Sequence, residues 1–337
     1  MKIKEYIILA VVIIALGLYI TFRKTDKTYY DLPQVPEVNE AEITKIEICK
    51  KNSCIEFTAK DNSWYIGPKK YLADAAAVKN ILGILGNVVL TDLVSESKSY
   101  ERYDLTEDNR IQIKAWKGTT LVRNFTVGKA ASTFRHTYIM LENNHRVYHA
   151  RENFRNKVDK TLDDFRDKKV LSFEKNDIKE IHASIKESKI SIIKKEIIPE
   201  SDNKDDLNKD ASKTEIQWED TDGNKIDESK INSIISNISN LNCSKYLDEA
   251  EKDNLKDPIY VITAKGSKDY TLSIFDKKEG SDDYPCLSSE NAYPFMLNNS
   301  TVDGIKGAIE EIIKKEEKKE SVEQGTETVE EEFEVDN

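Results

Sequence analysis

Asp74 opens a run in which Val78, Ile81, Leu82, Leu85 and Val88 recur at helical spacing. At an offset of 153 residues, Asp227 opens the same run with Ile231, Ile234, Ile235, Ile238 and Leu241. Apolar residues at i, i+3, i+4 and i+7 form one oily stripe on a helix, and a stripe has to be buried against something. A carboxylate just ahead of the first helical residue satisfies free N–H groups there, so each run predicts a helix capped by its aspartate. Two capped stripes at one offset predict a folding unit used twice.

The flanking sequence extends the correspondence. Trp64 precedes the first helix and Trp218 the second, within one residue of the same offset. Downstream, RIQIKAWKGTTLVRNFTV alternates Ile111, Ile113 and Ala115, turns at Lys117–Gly118 and continues through Phe125 and Val127. PIYVITAKGSKDYTLSIF reads alike at an offset of 148, with Ile259, Val261 and Thr263, a turn at Lys265–Gly266, then Leu272 and Ile274. Tyr138 and Tyr284 each begin another strand-like segment, and ITKIEI from Ile43 corresponds to IKEIHASI from Ile178. Alternation of period two is the mark of a half-buried strand. The fold class expected is α+β: two tandem repeats, each an antiparallel sheet packed with an amphipathic helix. They are placed at 43–176 and 177–314, with a helical or turn-rich bridge over 154–170.

Ahead of the repeats, Tyr6 to Phe22 is a run of 17 uncharged residues, YIILAVVIIALGLYITF. At about 1.5 Å per residue it covers roughly 25 Å, near the lower limit for crossing a bilayer. It has no polar face, as a core helix would, and no small-residue cleavage site follows, as after a secretory signal. The reading is a five-residue tail, a transmembrane helix over 6–22 and an extended, Pro33- and Pro36-bearing stalk over 23–42. Lysines and arginines flank the run on both sides, so the charge rule barely orients it. The short tail favours a single-pass protein of the cell membrane whose body is extracytoplasmic.

Composition then excludes one class of partner. The formal net charge is −11, and without the first 24 residues it is 47 basic against 61 acidic side chains, or −14. A body so acidic lacks the basic face that phosphate backbones need, and no nucleic-acid partner is expected. Residues 199–214 read as a mobile polar loop and 315–337 as a disordered acidic tail.

This arrangement resembles the bacterial family known as domain of unknown function 4340, over nearly the whole chain after residue 40. The resemblance rests on the N-terminal anchor, SWYIGP with ADAAAV between Ser63 and Val78, FTVGK from Phe125 to Lys129, and DDFRDKKVLSF from Asp163 to Phe173. It implies an anchored, exported protein working beside ABC-type transporters of the gliding-motility class, and it brings no catalytic residues with it. The second repeat lacks the FRDKK element and has Phe275–Asp276 where the first has Val127–Gly128. A role tied to that element therefore belongs to the first repeat alone.

The residues themselves offer few chemical constellations. Cys49 and Cys54 flank KKNS in a candidate hairpin, either as a disulfide in an exported body or as two small, partly buried side chains. Cys243 and Cys286 fall in core patterns. His145 and His149 are placed on one face of a strand with His136 across a turn, yet no carboxylate motif accompanies these three metal-ligand candidates, and a hairpin surface is the simpler reading. His182 is expected half-exposed on a strand. Asp163, Asp164, Arg166 and Asp167 read as a solvated helix face with local ion pairs rather than as acid–base machinery. Trp64, Tyr65 and Trp116 are the candidate binding aromatics, although aromatics beside a capped helix more often pack in a core. No phosphate loop, nucleophile elbow or dinucleotide fingerprint occurs, and neither a cofactor nor a catalytic residue is expected. The leading expectation is a non-enzymatic, membrane-anchored accessory or binding module partnered with ABC transporter subunits or other envelope proteins. An exported envelope hydrolase with a site between the repeats, and a passive spacer, are the alternatives.

Overall fold

The computed structural model describes residues 2–22, 30–51, 53–185, 188–197 and 215–313. The expected loop 199–214 and tail 315–337 lie outside these residues, as does the first part of the expected stalk. Two compact units divide at Arg166/Asp167.

Helix α1 (Lys2–Phe22) opens the chain. Among the described residues no helix is long and apolar enough to cross a membrane. The transmembrane helix expected over 6–22 is therefore not found in that form. The unbroken stretch of described side chains in it is 8–21. Along it Ile8, Leu9, Val11, Ile13, Ile14 and Tyr19 are exposed.

The first unit is a nine-stranded antiparallel sheet. Its strands are β1 (Lys45–Lys50), β2 (Ser53–Lys60), β3 (Ser63–Ile66), β4 (Tyr71–Leu72), β5 (Leu90–Ser95), β6 (Ile111–Lys117), β7 (Thr120–Ala130), β8 (His136–Leu141) and β9 (Val147–Arg151). They lie in the order β4-β3-β2-β1-β6-β7-β8-β9-β5. Side chains alternate between faces along a strand, and one face, carrying Ile46, Ile48, Phe57, Ile66, Ile113 and Phe125, is buried. Helix α2 (Ala75–Gly86) belongs to the same core and contributes Val78, Ile81 and Leu85. The Asp74 carboxylate accepts from the Ala77 N–H at 2.6 Å, the expected cap. Leu32, Val35 and Val38 also pack against this core, so the later part of the expected stalk belongs to the body.

The second unit repeats the plan. After β10 (Lys169–Ser172) come β11 (Glu180–Ile185), β12 (Ser188–Ile197), β13 (Glu215–Asp220), β14 (Lys225–Ile226), α4 (Glu228–Ile238), β15 (Asn240–Asn242), β16 (Lys245–Tyr246), β17 (Tyr260–Lys265), β18 (Asp269–Ile274), β19 (Tyr284–Ser288) and β20 (Asn291–Leu297). Here α3 names the short turn Arg155–Val158 that precedes β10. The second sheet runs β14-β13-β12-β11-β17-β18-β19-β20-β16, the first sheet's order strand for strand. Ile231, Ile234, Ile235 and Ile238 of α4 are buried, and Asp227 accepts from the Ser229 N–H at 2.9 Å. Burying four such side chains contributes roughly 6–12 kcal/mol.

Four features depart from the sequence reading. The first unit ends ten residues earlier than the expected boundary at 176, because β10 pairs with β15 inside the second unit. In β17 it is Ile262 and Ala264 that are buried, whereas Val261 and Thr263 face outward. The two-residue strands β4 and β14 were not anticipated. Nor was a helix over residues 299–313, whose Val302, Ile305, Ile309 and Ile312 join the second core. The sheet edges are blunt: β4, β14 and β16 have two residues each, and β5 is broken by two register shifts against β9.

Gly128 lies where a Cβ would come within 2.1 Å of the Tyr103 carbonyl oxygen. Gly128→Ala should therefore destabilise by about 1–3 kcal/mol through forced displacement. Asp74→Ala and Asp227→Ala should each cost about 1 kcal/mol. Ile81→Ala and Ile234→Ala should each cost about 2–5 kcal/mol. Urea unfolding of the variants measures all of these.

Candidate functional site

With α2 and the core on one face, the opposite face of the first sheet carries the side chains of the other parity. Strand register places one of each strand's outward residues in a continuous row. Leu72 pairs with Tyr65, Tyr65 with Thr58, Thr58 with Lys45, Lys45 with Trp116, and Trp116 with Leu121. Six strands thus contribute six neighbours, a row of about 24 Å at ~4.8 Å per strand. Leu72 and Leu121 are 45% and 41% exposed, far more than an isolated core leucine would be. Tyr65 and Trp116 are half-buried. They stand three strand spacings apart, roughly 14 Å.

Charged groups surround the row. The Lys45 ammonium lies 2.9 Å from Glu56, 3.0 Å from Glu47 and 5.1 Å from the centre of the Trp116 ring. Lys70 joins Glu56 at 3.5 Å and donates to the Thr58 hydroxyl at 3.3 Å. Hydrogen bonds donated to Glu56 and Glu47 raise the Lys45 pKa, and the bond received from Lys45 lowers that of Glu56. Both side chains are open to water, so these pairs orient Lys45 along the row more than they add stability.

Trp64 is not part of this surface. It shares the parity of Ile66 and packs against the core. Of the three aromatic candidates, Tyr65 and Trp116 come together in one row and Trp64 supports it from beneath. Leu72 and Leu121 were missed. Leu121 shares the sequence parity of the buried Arg123, Phe125 and Val127, and only the register shift between Ala115 and Trp116 turns it outward.

The second unit supplies a comparison within the same molecule. The corresponding registers there join Lys225, Glu219, Ile193, Glu180, Lys265 and Asp269. Five of these six are charged, and Lys265 pairs with Glu180 at 3.3 Å. One fold therefore presents an aromatic and leucine row in its first copy and an ionic row in its second. Neither row is demanded by the sheet itself.

The other candidates have structural settings. Phe165 is fully buried, edge-on to Phe57 at 5.1 Å, and its carbonyl accepts from the Asp74 N–H at 2.8 Å. Arg166 is buried too and stacks 3.8 Å from the centre of the Tyr71 ring. Of the expected solvated face, Asp163, Asp164 and Asp167 stay at the surface and Asp163 pairs with Arg166 at 3.7 Å, whereas the buried Arg166 instead helps clasp the start of α2. At the other end of α2, the buried Arg123 donates to the carbonyl oxygens of Leu85 (2.7 Å), Gly86 (3.2 Å) and Pro36. Burial lowers its pKa, although a guanidinium bound to carbonyls remains charged.

Among the described residues no group of three or more His, Cys, Asp or Glu could hold a metal ion. His136 and His149 stack at 5.2 Å, whereas His145 lies outside β9, exposed, with its carbonyl accepting from the Tyr100 hydroxyl. His149 approaches Asp92 at 3.5 Å, and its Nε2 is buried without a hydrogen-bond partner. In the second unit the Ser191 hydroxyl meets His182 Nδ1 at 2.8 Å, and His182 Nε2 meets Glu180 at 3.1 Å. They lie beside a cavity of about 350 Å³ lined also by Ser184, Lys189 and Thr263. The hydrogen bond from His182, aided by Lys265, lowers the Glu180 pKa. Cys49 and Cys54 are joined in a disulfide across β1 and β2, and Cys243 and Cys286 are buried and not disulfide-bonded.

Fold and site together define a duplicated helix-on-sheet protein whose first copy alone carries the aromatic and leucine row. The chain belongs to the family described as domain of unknown function (DUF4340), whose model matches residues 64–258, more than half its length. Comparison with curated proteins and with solved structures returns no match.

Burial lowers the His149 pKa against the opposing pull of Asp92. A histidine held neutral contributes stability that is present above its unfolded value of about 6.5 and lost as pH falls through its folded value. Stability should therefore begin to decline below pH ~6.5, ahead of the carboxylate range. His149→Gln should flatten that part of a denaturation series against pH, while the carboxylate-driven loss below pH ~5 persists.

Proposed function

We propose that this protein is a non-enzymatic, membrane-anchored accessory module whose body stands outside the cell membrane and docks an envelope protein through the outer row of its first unit. A subunit of an ABC-type transporter of the gliding-motility class is the partner that the family resemblance suggests. The observation that carries the reading is the contrast between the two rows: Leu72, Tyr65, Trp116 and Leu121 in the first unit against Lys225, Glu219, Lys265 and Asp269 in the second. Exposed leucines and aromatics ringed by charged groups have the anatomy of a protein interface, with an apolar centre and a polar rim. The uncharged run 6–22 supports the anchor, and the Cys49–Cys54 disulfide suits an oxidising compartment.

A second reading, an exported hydrolase, draws on the Ser191–His182–Glu180 relay, which has the order of a nucleophile, a base and an orienting carboxylate. It ranks second because the relay lies half-exposed on an open sheet face, and Glu180 is shared with Lys265. Labelling of Ser191 by a fluorophosphonate, abolished in His182→Ala, would promote it above the docking module.

The docking reading is tested in cells on the full chain. A photo-crosslinker at Trp116 or Leu121 should capture one envelope partner reproducibly, and a crosslinker at Ile193 or Lys265 should not. Trp116→Ala should weaken that complex by about 30-fold, the loss typical of a central aromatic anchor. Equal capture from both rows would sink the proposal.

A further inference from the structure

The disulfide of the first unit has no counterpart in the second. Cys49 and Cys54 face each other across β1 and β2, their Cα atoms 4.0 Å apart. The corresponding residues on β11 and β12 are Ser184 and Lys189, paired in the same register. That hairpin forms without sulfur. β1 is moreover paired along its length with β6 as well as with β2, so two ladders already hold the hairpin in place. The bond is an addition to the first unit rather than a requirement of its fold.

Its surroundings are those of a reactive pair. Cys54 is exposed and Cys49 half-buried. Beside Cys54 opens a cavity of about 460 Å³ with an apolar floor that includes Ile48, Ile111 and Leu162, and with Lys50, Lys160, Asp159 and Asp164 as its charged lining residues. Lys50 binds Asp159 at 2.6 Å, whereas the Lys160 ammonium rests 5.7 Å from the centre of the Phe165 ring. Lys50 and Lys51 directly follow Cys49 in the chain. Lys51 pairs with Asp108 at 3.9 Å and Lys50 with Asp159, so the Lys160 ammonium is the cation of the cavity on which an anion approaching Cys54 can draw. The remaining cysteines contrast with this pair: Cys243 and Cys286 are buried, and burial raises the Cys286 pKa, which keeps that thiol inert.

We propose that Cys49–Cys54 is a thiol–disulfide exchange site for a small anionic thiol. The incoming thiolate attacks the exposed Cys54 Sγ, the bond between the two sulfurs breaks, and its electron pair leaves on Cys49 Sγ. That thiolate takes a proton from water. A second thiolate attacks the bound small-molecule sulfur and releases it as a symmetric disulfide, and Cys54 is protonated in turn. Two external thiols are oxidised and one protein disulfide is reduced, so atoms and electrons balance.

The test uses the full chain in detergent micelles without denaturant, with glutathione as the probe and intact-mass detection. Wild-type protein should expose two alkylatable thiols while Cys243 and Cys286 stay unmodified. Its thermal midpoint should fall by less than about 5 °C, since few native contacts depend on the bond. Cys49→Ser should accumulate a glutathione adduct on Cys54 when treated with oxidised glutathione. At low salt the anionic thiol should react about tenfold faster than a neutral thiol of similar acidity, and Lys160→Gln or high salt should shrink that ratio. Reduction only after unfolding, a larger fall in the midpoint, or equal rates for neutral and anionic thiols would each overturn the proposal.

Discussion

A sheet covered by a helix on one side must leave its other side facing water, and this constraint governs both units. Each strand divides its side chains by parity, so the residues that bury against α2 or α4 fix what the opposite face displays. In the first unit the inward set is Ile46, Phe57, Ile66 and Ile113, and the register that seats them sends Tyr65, Lys45 and Trp116 outward together. The outer row is thus a by-product of core packing in its position, though not in its chemistry. Its chemistry is free to vary, and between the two copies it does.

Both ends of α2 are fastened by residues distant in sequence. Its start is capped by Asp74 and held by the Phe165 carbonyl, with Arg166 stacked on Tyr71 close by. Its end is closed by Arg123, a buried cation whose donors meet backbone carbonyl oxygens left over where the helix stops. The first fastening gives Phe165 and Arg166 of the DDFRDKK segment their role. Further along the strand of Arg123, Gly128 in FTVGK admits the close approach of Tyr103. In the second unit Tyr270 stands in the position of Arg123 and lies 4.8 Å from Phe173, whose N–H donates to the Ser239 carbonyl at the end of α4 at 3.0 Å.

Much of this was legible in the residues. The stripes of α2 and α4, their aspartate caps and the duplicated order follow from period and spacing, because a buried stripe leaves a pattern that needs no tertiary information. Faces of fully apolar strands do not. PIYVITAKG carries apolar or β-branched residues at both parities, and only pairing with β11 decides that Ile262 and Ala264 turn inward. Arg166 was read as solvated because a charged residue in a DDFRD run looks like surface, and its burial depends on a ring 95 residues earlier in the chain. The candidate surface was half readable. Tyr65 and Trp116 stood out as aromatics, whereas their alignment with Leu72 and Leu121 is a property of register across six strands. His145 was placed on a strand that begins at Val147, where an asparagine turn at Asn144 intervenes.

The edges of the two sheets have a consequence for how such molecules coexist. An open antiparallel sheet presents unpaired amides that can recruit a neighbour's strand and propagate into fibres. Here three of the four borders are only two residues long, and the fourth, β5, is interrupted by bulges and bears Asp92. None offers the flat, uninterrupted template that templated aggregation requires, so crowded copies can lie side by side without zipping together.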